Sequence, residues 1–260
     1  MKSLIMAISI GNTNITFGIY TDKNELIAHD KIPNLRASRF FKDWKARKDS
    51  GQIASDKIVS AVSHVLTVAT NPTVDRLVSH WVKDVFHLKP LRFRNDFTVP
   101  MPVLVKEPEK VGGDRLLNAF AAYKRTNALT LVVDFGTAIT FNVVSGKGEF
   151  LGDAIAPGFN SLAKALHEDC ALLPLVTPRI THTAIGKNTE DAIGSGIYFG
   201  ALGLAANIID KIISQLGKKP VVIATGGDTV LLKGQLPVID EIIPDLTLIG
   251  LVQSYRDGKK

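Results

Sequence analysis

Two short segments of this chain carry the same residue pattern, and this repetition constrains the fold more than any other feature. The first runs from Ile8 to Phe17 (ISIGNTNITF) and the second from Val133 to Phe141 (VDFGTAITF). Each is an apolar strand that reaches a polar residue, turns at a glycine beside a hydroxyl residue, and continues as a β-branched strand. The pattern predicts two β-hairpins whose tight turns expose backbone N–H groups and hydroxyls, which are the donors that bind phosphate.

The two segments differ at the position where a charge would matter most. Asp134 in the second segment aligns with Ser9 in the first. A carboxylate can hold a cation beside a phosphate group, whereas a serine hydroxyl is a much weaker ligand. We therefore expect the two turns to differ in chemistry although they share a backbone plan.

The elements around the hairpins also recur, which predicts an α/β protein of two similar lobes, residues 1–118 and 119–260, with a nucleotide cleft between them. Each lobe is expected to contain a mixed sheet followed by helices and a further strand. The main elements expected from the pattern are strands Leu4–Ile10, Asn14–Tyr20, Leu26–Ile32, Lys57–Ser63, Thr130–Val133, Val221–Ala224 and Leu246–Leu251, with helices Arg39–Lys48, Val68–Phe86, Ser161–His167 and Ala192–Ile209.

Composition narrows the functional classes. The chain has 260 residues and a net charge of +6, which suits an anionic substrate such as ATP, but its basic residues are scattered and do not predict a nucleic-acid surface. Cys170 is the single cysteine, and the apolar run near the N-terminus is too short for a signal peptide, so a cytoplasmic location is expected.

The uncharged stretch from Ala192 to Ile209 is predicted to be a buried helix and not a membrane span. Its small residues allow close approach by another core element or by a partner subunit.

Two further glycine segments could serve phosphoryl transfer, a reaction that depends mainly on positioning and charge neutralisation. The turn Thr225-Gly226-Gly227 follows a buried strand and would let a nucleotide lie against the backbone. The segment Gly112-Gly113-Asp114-Arg115 places an Asp–Arg pair at an expected helix N-terminus, where anions bind well and where Asp114 could act as a base.

Taken in order, these motifs resemble those of type III pantothenate kinases, which belong to the actin-like ATPase superfamily with ribonuclease H-like lobes. The resemblance covers nearly the whole chain. The matching stretches are the Gly11-Asn12-Thr13 turn, Val111-Gly112-Gly113-Asp114-Arg115, Asp134-Phe135-Gly136-Thr137-Ala138, Ala156-Pro157-Gly158 with Ser161-Leu162, Ile185-Gly186-Lys187-Asn188-Thr189, Ala224-Thr225-Gly226-Gly227 and Leu246-Thr247-Leu248 with Gly250-Leu251.

The resemblance implies ATP-dependent phosphorylation of pantothenate to 4′-phosphopantothenate, the first step of coenzyme A biosynthesis. It implies that Asp114 is the catalytic base, that Asp134 binds a monovalent cation (K⁺ or NH₄⁺), and that ATP arrives with Mg²⁺. It also implies a homodimer in which Thr189 contacts pantothenate. The remaining implied residues are Ser9, Ile10, Gly11, Asn12, Thr13, Asn14, Ile15, Thr16 and Thr137 for ATP, and Val105, Gly112, Gly113 and Arg115 for pantothenate.

Three positions depart from the family pattern. Ser9 stands where the family has the aspartate of Asp-x-Gly-Asn-Thr, Val105 stands where it has a tyrosine of the pantothenate pocket, and Asn142 stands where an aspartate is common. These changes fall on the metal side and the substrate side and leave the fold signals intact. Two alternatives therefore stay open: a weak or inactive relative that binds ligands and acts as a regulatory or accessory protein, and a kinase of a different small hydroxyl substrate.

Overall fold

The computed structural model describes residues 3–49 and 56–258, with side chains left undescribed at 45–49 and 56–58. The chain divides into two compact units. The first contains Met1–Met101, Glu107–Ala121 and Asp245–Lys260, and the second contains Pro102–Lys106 and Ala122–Pro244. Whether a split at residue 118 separates two independently folding lobes stays a prediction.

The first unit is built on a five-stranded mixed sheet. Its strands are β1 (Leu4–Ile10), β2 (Asn14–Tyr20), β3 (Leu26–Pro33), β4 (Val62–Ala69) and β5 (Leu91–Arg92). They lie in the order β3-β2-β1-β4-β5. The hairpin strands β1 and β2 pair antiparallel, as do β2 and β3, whereas β4 runs parallel to both β1 and β5. The prediction of strands β1 and β2 is confirmed to the residue.

The second unit repeats this sheet. Its strands are β6 (Thr130–Phe135), β7 (Ala138–Val144), β8 (Phe150–Pro157), β9 (Val221–Thr225) and β10 (Glu241–Ile242). They lie in the order β8-β7-β6-β9-β10, which is the order of the first sheet when β6 to β10 are matched in turn with β1 to β5. Ser9 pairs with Thr16, and Asp134 pairs with Thr140, each one residue before the last pair of its hairpin. The predicted α/β fold with two related mixed sheets is therefore confirmed, and so is the equivalence of Ser9 and Asp134.

Helices cover the sheets. They are α1 (Ala37–Asp49), α2 (Asp56–Ala61), α3 (Pro72–Phe86), α4 (Gly113–Thr126), α5 (Phe159–Asp169), α6 (Thr189–Leu216) and α7 (Leu246–Asp257). Local signals explain the helix ends: Asn71 caps α3 by accepting hydrogen bonds from the N–H groups of Thr73 and Val74, and Asn188 caps α6 by accepting one from Asp191. The left-handed Gly217 ends α6.

Aromatic side chains fill both cores. In the first unit Phe41 of α1 stacks on Trp81 of α3 with ring centroids 4.8 Å apart, and Phe17 of β2 contacts both rings edge-on. In the second unit Phe159 of α5 packs beside Tyr198 of α6. Burying a side chain of this size contributes about 2–3 kcal/mol relative to exposing it, so these clusters fix the helices on their sheets.

Three element predictions were wrong. The stretch 57–63, which was expected to be a strand, begins as helix α2 and becomes strand β4 only at Val62. The helix expected from Val68 begins at Pro72, because residue 68 still belongs to β4. The stretch 246–251 forms helix α7 because Leu248, Leu251 and Tyr255 recur at helical spacing and are buried.

Helix α7 packs tightly in the first unit. A Cβ added to Gly250 would lie 2.2 Å from the carbonyl oxygen of Leu117 in α4, and the Thr247 hydroxyl donates to Asn118 Oδ1 at 2.7 Å. Just before the helix, Asp245 Oδ2 lies 2.9 Å from Nε2 of His29 in β3. Burial raises the pKa of Tyr20, and the negative charge of Asp245 adds to the effect.

Among the described helices, only α6 is long and apolar enough to cross a membrane. Its most apolar 18 residues have a mean hydropathy of 1.6, and half of them are buried within the chain. Its buried side includes Ile197, Tyr198, Ala201 and Leu202 of the second core. The prediction of a buried helix is therefore confirmed for this face. That the chain does not enter a membrane stays a prediction.

Candidate active site

The first predicted phosphate turn lies between β1 and β2. The N–H of Gly11 donates to the carbonyl of Asn14 at 2.9 Å, so Gly11, Asn12 and Thr13 form a closed turn in which Asn12 and Thr13 are exposed. The flanking strand residues Ile10 and Ile15 are fully buried and anchor the turn to the core. The predicted ATP segment, Ser9 to Thr16, is thus one rigid strand–turn–strand unit.

One residue outside the predicted set, Asn34, holds this turn. Its backbone N–H donates to the Thr13 carbonyl at 2.8 Å, and its side-chain Nδ2 donates to the carbonyls of Gly11 and Asn12 at 2.9 Å each. Sequence reasoning missed Asn34 because it lies 20 or more residues from the turn. The only local signal is its position directly after Pro33, which ends strand β3.

The second predicted turn, between β6 and β7, is shorter. Here the N–H of Gly136 donates to the Ala138 carbonyl at 3.1 Å. The carbonyl of Thr137 accepts from the N–H of Gly158 at 3.1 Å and from the Ser161 hydroxyl at 2.6 Å. The segment that begins helix α5 therefore holds the second turn as Asn34 holds the first.

The third glycine turn lies against the second. Gly226 has a φ of 96°, and a Cβ added there would lie 2.3 Å from Asp134 Oδ1 and 2.4 Å from the carbonyl oxygen of Phe135. Only glycine both adopts this conformation and leaves room for the Asp134 carboxylate. The structure thus brings Asp134 together with the turn at Gly136 and the turn at Gly226.

The predicted base lies at the start of α4 in the first unit. A Cβ on Gly112 would lie 2.5 Å from Asp114 Oδ1, and one on Gly113 would lie 2.9 Å from a methyl group of Val68. Because Val68 pairs with Ser9 across the parallel strands, the helix start lies at the edge of the sheet where the first turn lies. Asp114 Oδ1 accepts from the N–H of Arg115 at 2.9 Å, in the first turn of the helix.

Arg94, which was also not predicted, fixes the loop that leads to this helix. Its guanidinium donates to the carbonyls of Glu109 and Val111, and to that of Pro108 at 3.5 Å. The Arg94 backbone adopts a φ of 73°, which is uncommon for a residue with a side chain. Backbone carbonyls carry no sequence signal, so this contact could not have been predicted.

The remaining predicted residues, Val105 and Thr189, belong to the second unit. Val105 follows Leu104, whose N–H donates to the carbonyl of Phe150 at the start of β8, whereas Thr137 lies near the end of that strand. The structure therefore does not bring Val105 to the turn at Thr137. Thr189 is exposed at the first turn of α6.

Asp134 places a carboxylate beside the turns at Gly136 and Gly226. Among residues 3–49 and 56–258 no group of three His, Cys, Asp or Glu side chains is close enough to hold a metal ion. A hard cation at Asp134 would therefore complete its ligands with phosphate, carbonyl or water oxygens, as Mg²⁺ commonly does.

A family model described as type III pantothenate kinase matches residues 5–211 of the chain. The chain belongs to the type III pantothenate kinase family. The type III pantothenate kinase of Acidobacterium capsulatum is 35% identical over 266 residues, covering 97% of this chain and 94% of that protein. Others of the same name match at 29% to 35% identity.

Solved structures agree on the fold of this pantothenate kinase family member. A conserved Campylobacter jejuni protein assigned to the Baf family of transcriptional activators superposes with a TM-score of 0.57 at 19% identity, covering 98% of both chains. The ethanolamine utilization protein EutJ of Carboxydothermus hydrogenoformans superposes with a TM-score of 0.55 at 13% identity, covering 98% of this chain and 90% of that one. The predicted actin-like fold is confirmed, and at these identities the likeness concerns the fold alone.

Family membership makes the chain a kinase, which transfers phosphate from ATP. Kinases bind ATP through backbone N–H groups, hydroxyls and a cation. Backbone N–H groups and hydroxyls are present at the turn around Gly11 in the first unit and at the turn around Gly136 in the second. The departures from the family pattern are Ser9, Val105 and Asn142. Asn142 is fully buried, and its Nδ2 donates to the Thr140 hydroxyl at 3.2 Å, so an uncharged residue is accommodated there.

Proposed function

We propose that this chain phosphorylates the primary hydroxyl of pantothenate with ATP, yielding 4′-phosphopantothenate for coenzyme A synthesis in the cytoplasm. The observation that carries the proposal is the match of nearly the whole chain to curated type III pantothenate kinases, such as the one from Acidobacterium capsulatum. The structure supports it because the glycine motifs lie at strand ends and the Gly-Gly-Asp-Arg motif lies at a helix start.

Asp114 is the base in this proposal. Its carboxylate accepts the proton of the pantothenate hydroxyl as that oxygen attacks the γ-phosphorus of ATP and the bond to ADP breaks. Gly112 leaves space for the carboxylate, and the N–H of Arg115 fixes one of its oxygens, so the other oxygen is left to take the proton. Gly113 and Arg115 line the pantothenate site, together with Val105 and Thr189.

ATP is assigned to the segment from Ser9 to Thr16 and to Thr137. Backbone N–H groups of the turns bind phosphate oxygens, and the hydroxyls of Thr13 and Thr137 add donors. Mg²⁺, when bound with ATP, neutralises the charge that develops on the transferred phosphate. Asp134 holds the monovalent cation in this proposal, with its carboxylate beside the turns at Gly136 and Gly226.

Introducing the missing carboxylate tests this assignment. We expect Ser9→Asp to raise kcat/KM for pantothenate phosphorylation about a hundredfold, because a carboxylate at this strand end offsets the charge of phosphate and Mg²⁺. The measurement is steady-state kinetics with ATP, Mg²⁺ and K⁺. Ser9→Asn is the matched control: it has the same shape without the charge and should give no gain.

The outcomes separate the alternatives. Wild-type turnover of pantothenate supports the proposed function, and a gain limited to Ser9→Asp identifies the charge as the missing group. A wild type and a Ser9→Asp variant that both fail on pantothenate, yet transfer phosphate to another alcohol, would show a different acceptor. If neither variant transfers phosphate to any acceptor, the kinase proposal is wrong. No described contact favours an accessory role, so it is not proposed.

We also propose a homodimer formed through α6. Gly196, Phe199, Gly200 and Gly203 lie on one exposed face at helical spacing, and a Cβ added to any of the three glycines meets nothing within 4 Å in this chain. The loop before α6 exposes further apolar side chains, including Leu172 (93% exposed) and Ile185 (75% exposed). An exposed face of small and apolar residues like that of α6 is typical of an interface.

A charge on this face should disrupt the dimer. Phe199→Glu is expected to reduce the solution mass from twice the 28.1 kDa of the chain to 28.1 kDa, because the carboxylate would be buried without a partner. Light scattering coupled to size exclusion measures the mass. Leu77→Glu, a similarly exposed apolar position on α3, should leave it unchanged. A monomeric wild type, or a dimeric Phe199→Glu, would reject this interface.

A further inference from the structure

The two phosphate turns are held by equivalent residues. Strands β3 and β8 both end at a proline, Pro33 and Pro157, each paired with the first residue of the preceding strand. The next residue donates its backbone N–H to the last carbonyl of the turn: Asn34 to Thr13 at 2.8 Å, and Gly158 to Thr137 at 3.1 Å. Asn34 is therefore the first-unit counterpart of Gly158.

The side chain of Asn34 has no equivalent at Gly158, and the lengths of the turns explain the difference. The first turn has the residues Gly11, Asn12 and Thr13 between its strands, whereas the second has only Gly136 and Thr137. The longer turn has an additional peptide group that a backbone N–H alone cannot hold. Nδ2 of Asn34 binds the carbonyls of Gly11 and Asn12, so a single residue contacts every carbonyl of the turn.

We propose that Asn34 is a positioning residue for ATP, an inference that rests on the proposed function of this turn. In a trans peptide the C=O and N–H groups point in opposite directions. Holding the carbonyls of Gly11 and Asn12 on the Asn34 side therefore directs the N–H groups of Asn12 and Thr13 to the other side, where phosphate binds. Asn34 touches no substrate and acts only through the turn.

The orientation of the Asn34 amide is fixed by the same contacts. Reversing the amide would bring Oδ1 against two carbonyl oxygens, which repel it. In the orientation observed, Oδ1 is buried and has no hydrogen-bond partner within the described part of the chain. The two hydrogen bonds to the carbonyls of Gly11 and Asn12 therefore set the orientation of the amide, with its oxygen left unpaired on the other side.

Removing the side-chain donor tests the inference. We expect Asn34→Ala to weaken ATP binding about tenfold, the order of effect expected when hydrogen bonds that order a binding loop are lost. The Kd for Mg²⁺-ATP is measured by calorimetry on the full chain, and KM for ATP and for pantothenate are measured kinetically. KM for ATP should rise while KM for pantothenate stays unchanged, which a general loss of stability would not produce.

Two further variants sharpen the result. Asn34→Ser retains the backbone N–H and one short donor that can reach one carbonyl at most, so its Kd should lie between wild type and Asn34→Ala. It also carries the test if the alanine variant fails to fold. Asn71→Ala is the matched control: it removes an asparagine that caps α3 in the same unit, and should lower stability without changing the Kd for ATP.

The outcomes distinguish this inference from the proposed function. Unchanged ATP binding in Asn34→Ala and Asn34→Ser overturns the positioning role, as does a wild type that binds no ATP. An equal rise in both KM values also overturns it. A wild type that binds ATP but does not phosphorylate pantothenate, with binding weakened in the two variants, supports Asn34 and rejects the proposed function.

Discussion

Asp114→Asn is expected to lower kcat for pantothenate phosphorylation about a thousandfold, the middle of the range for loss of a general base. The amide keeps the shape of the carboxylate and can still accept from the N–H of Arg115, but it cannot take up a proton. KM for ATP should stay unchanged, since the turns that hold phosphate are not altered. The measurement is steady-state kinetics at saturating pantothenate.

A surface carboxylate provides the control for Asp114. Asp43→Asn makes the same chemical change on α1, where Asp43 is exposed and lies 3.7 Å from Arg39. Its kcat should equal that of the wild type, because exposed pairs of this kind contribute little. If Asp114→Asn retained a third or more of the wild-type kcat, the base would have to be another group.

Gly250→Ala is expected to reduce the free energy of unfolding of the first unit by about 2–3 kcal/mol, the upper range for an overpacked contact. The new methyl group would lie 2.2 Å from the Leu117 carbonyl, which is backbone and cannot rotate away. Helix α7 must then move from α4 and stretch the hydrogen bond between Thr247 and Asn118. The intrinsic helical preference for alanine recovers only about 1 kcal/mol of this loss.

Urea unfolding followed by tryptophan fluorescence measures this effect, because both tryptophans, Trp44 and Trp81, belong to the first unit. Gly194→Ala is the control: it makes the same change within a helix of the second unit, where the added methyl group meets nothing within 4 Å. It should leave the fluorescence transition in place. A Gly250→Ala transition that coincides with the wild type would mean that α7 does not pack against α4 as described.

The hairpins could be predicted because their information is local. Apolar runs on either side of a glycine turn specify both hairpins, so the bounds of β1 and β2 and the equivalence of Ser9 and Asp134 follow from the sequence, whereas β6 extends two residues beyond the predicted Val133. The stretch that forms α7 was predicted to be a strand, since the contact of Gly250 with Leu117 that holds the helix cannot be read from a linear pattern.

The candidate site shows the same limit. Glycines, Asp114 and Asp134 carry recognisable motifs, whereas Asn34 and Arg94 act on backbone carbonyls far away in sequence. Carbonyls are common to all residues, so only the paired register of the strands reveals which ones a side chain can reach. Positioning groups of this kind are therefore the part of a site that a single sequence predicts least.

The assembly of the first unit has a consequence for synthesis on the ribosome. That unit needs α7, which begins at Leu246, whereas the second unit needs nothing beyond Pro244. Domains generally fold as their residues emerge, with the N-terminal one first. Here the order is inverted, because the second unit is the first whose residues have all been synthesised. The first sheet is completed only when α7 has also left the exit tunnel, and until then the surface that α7 covers stays exposed.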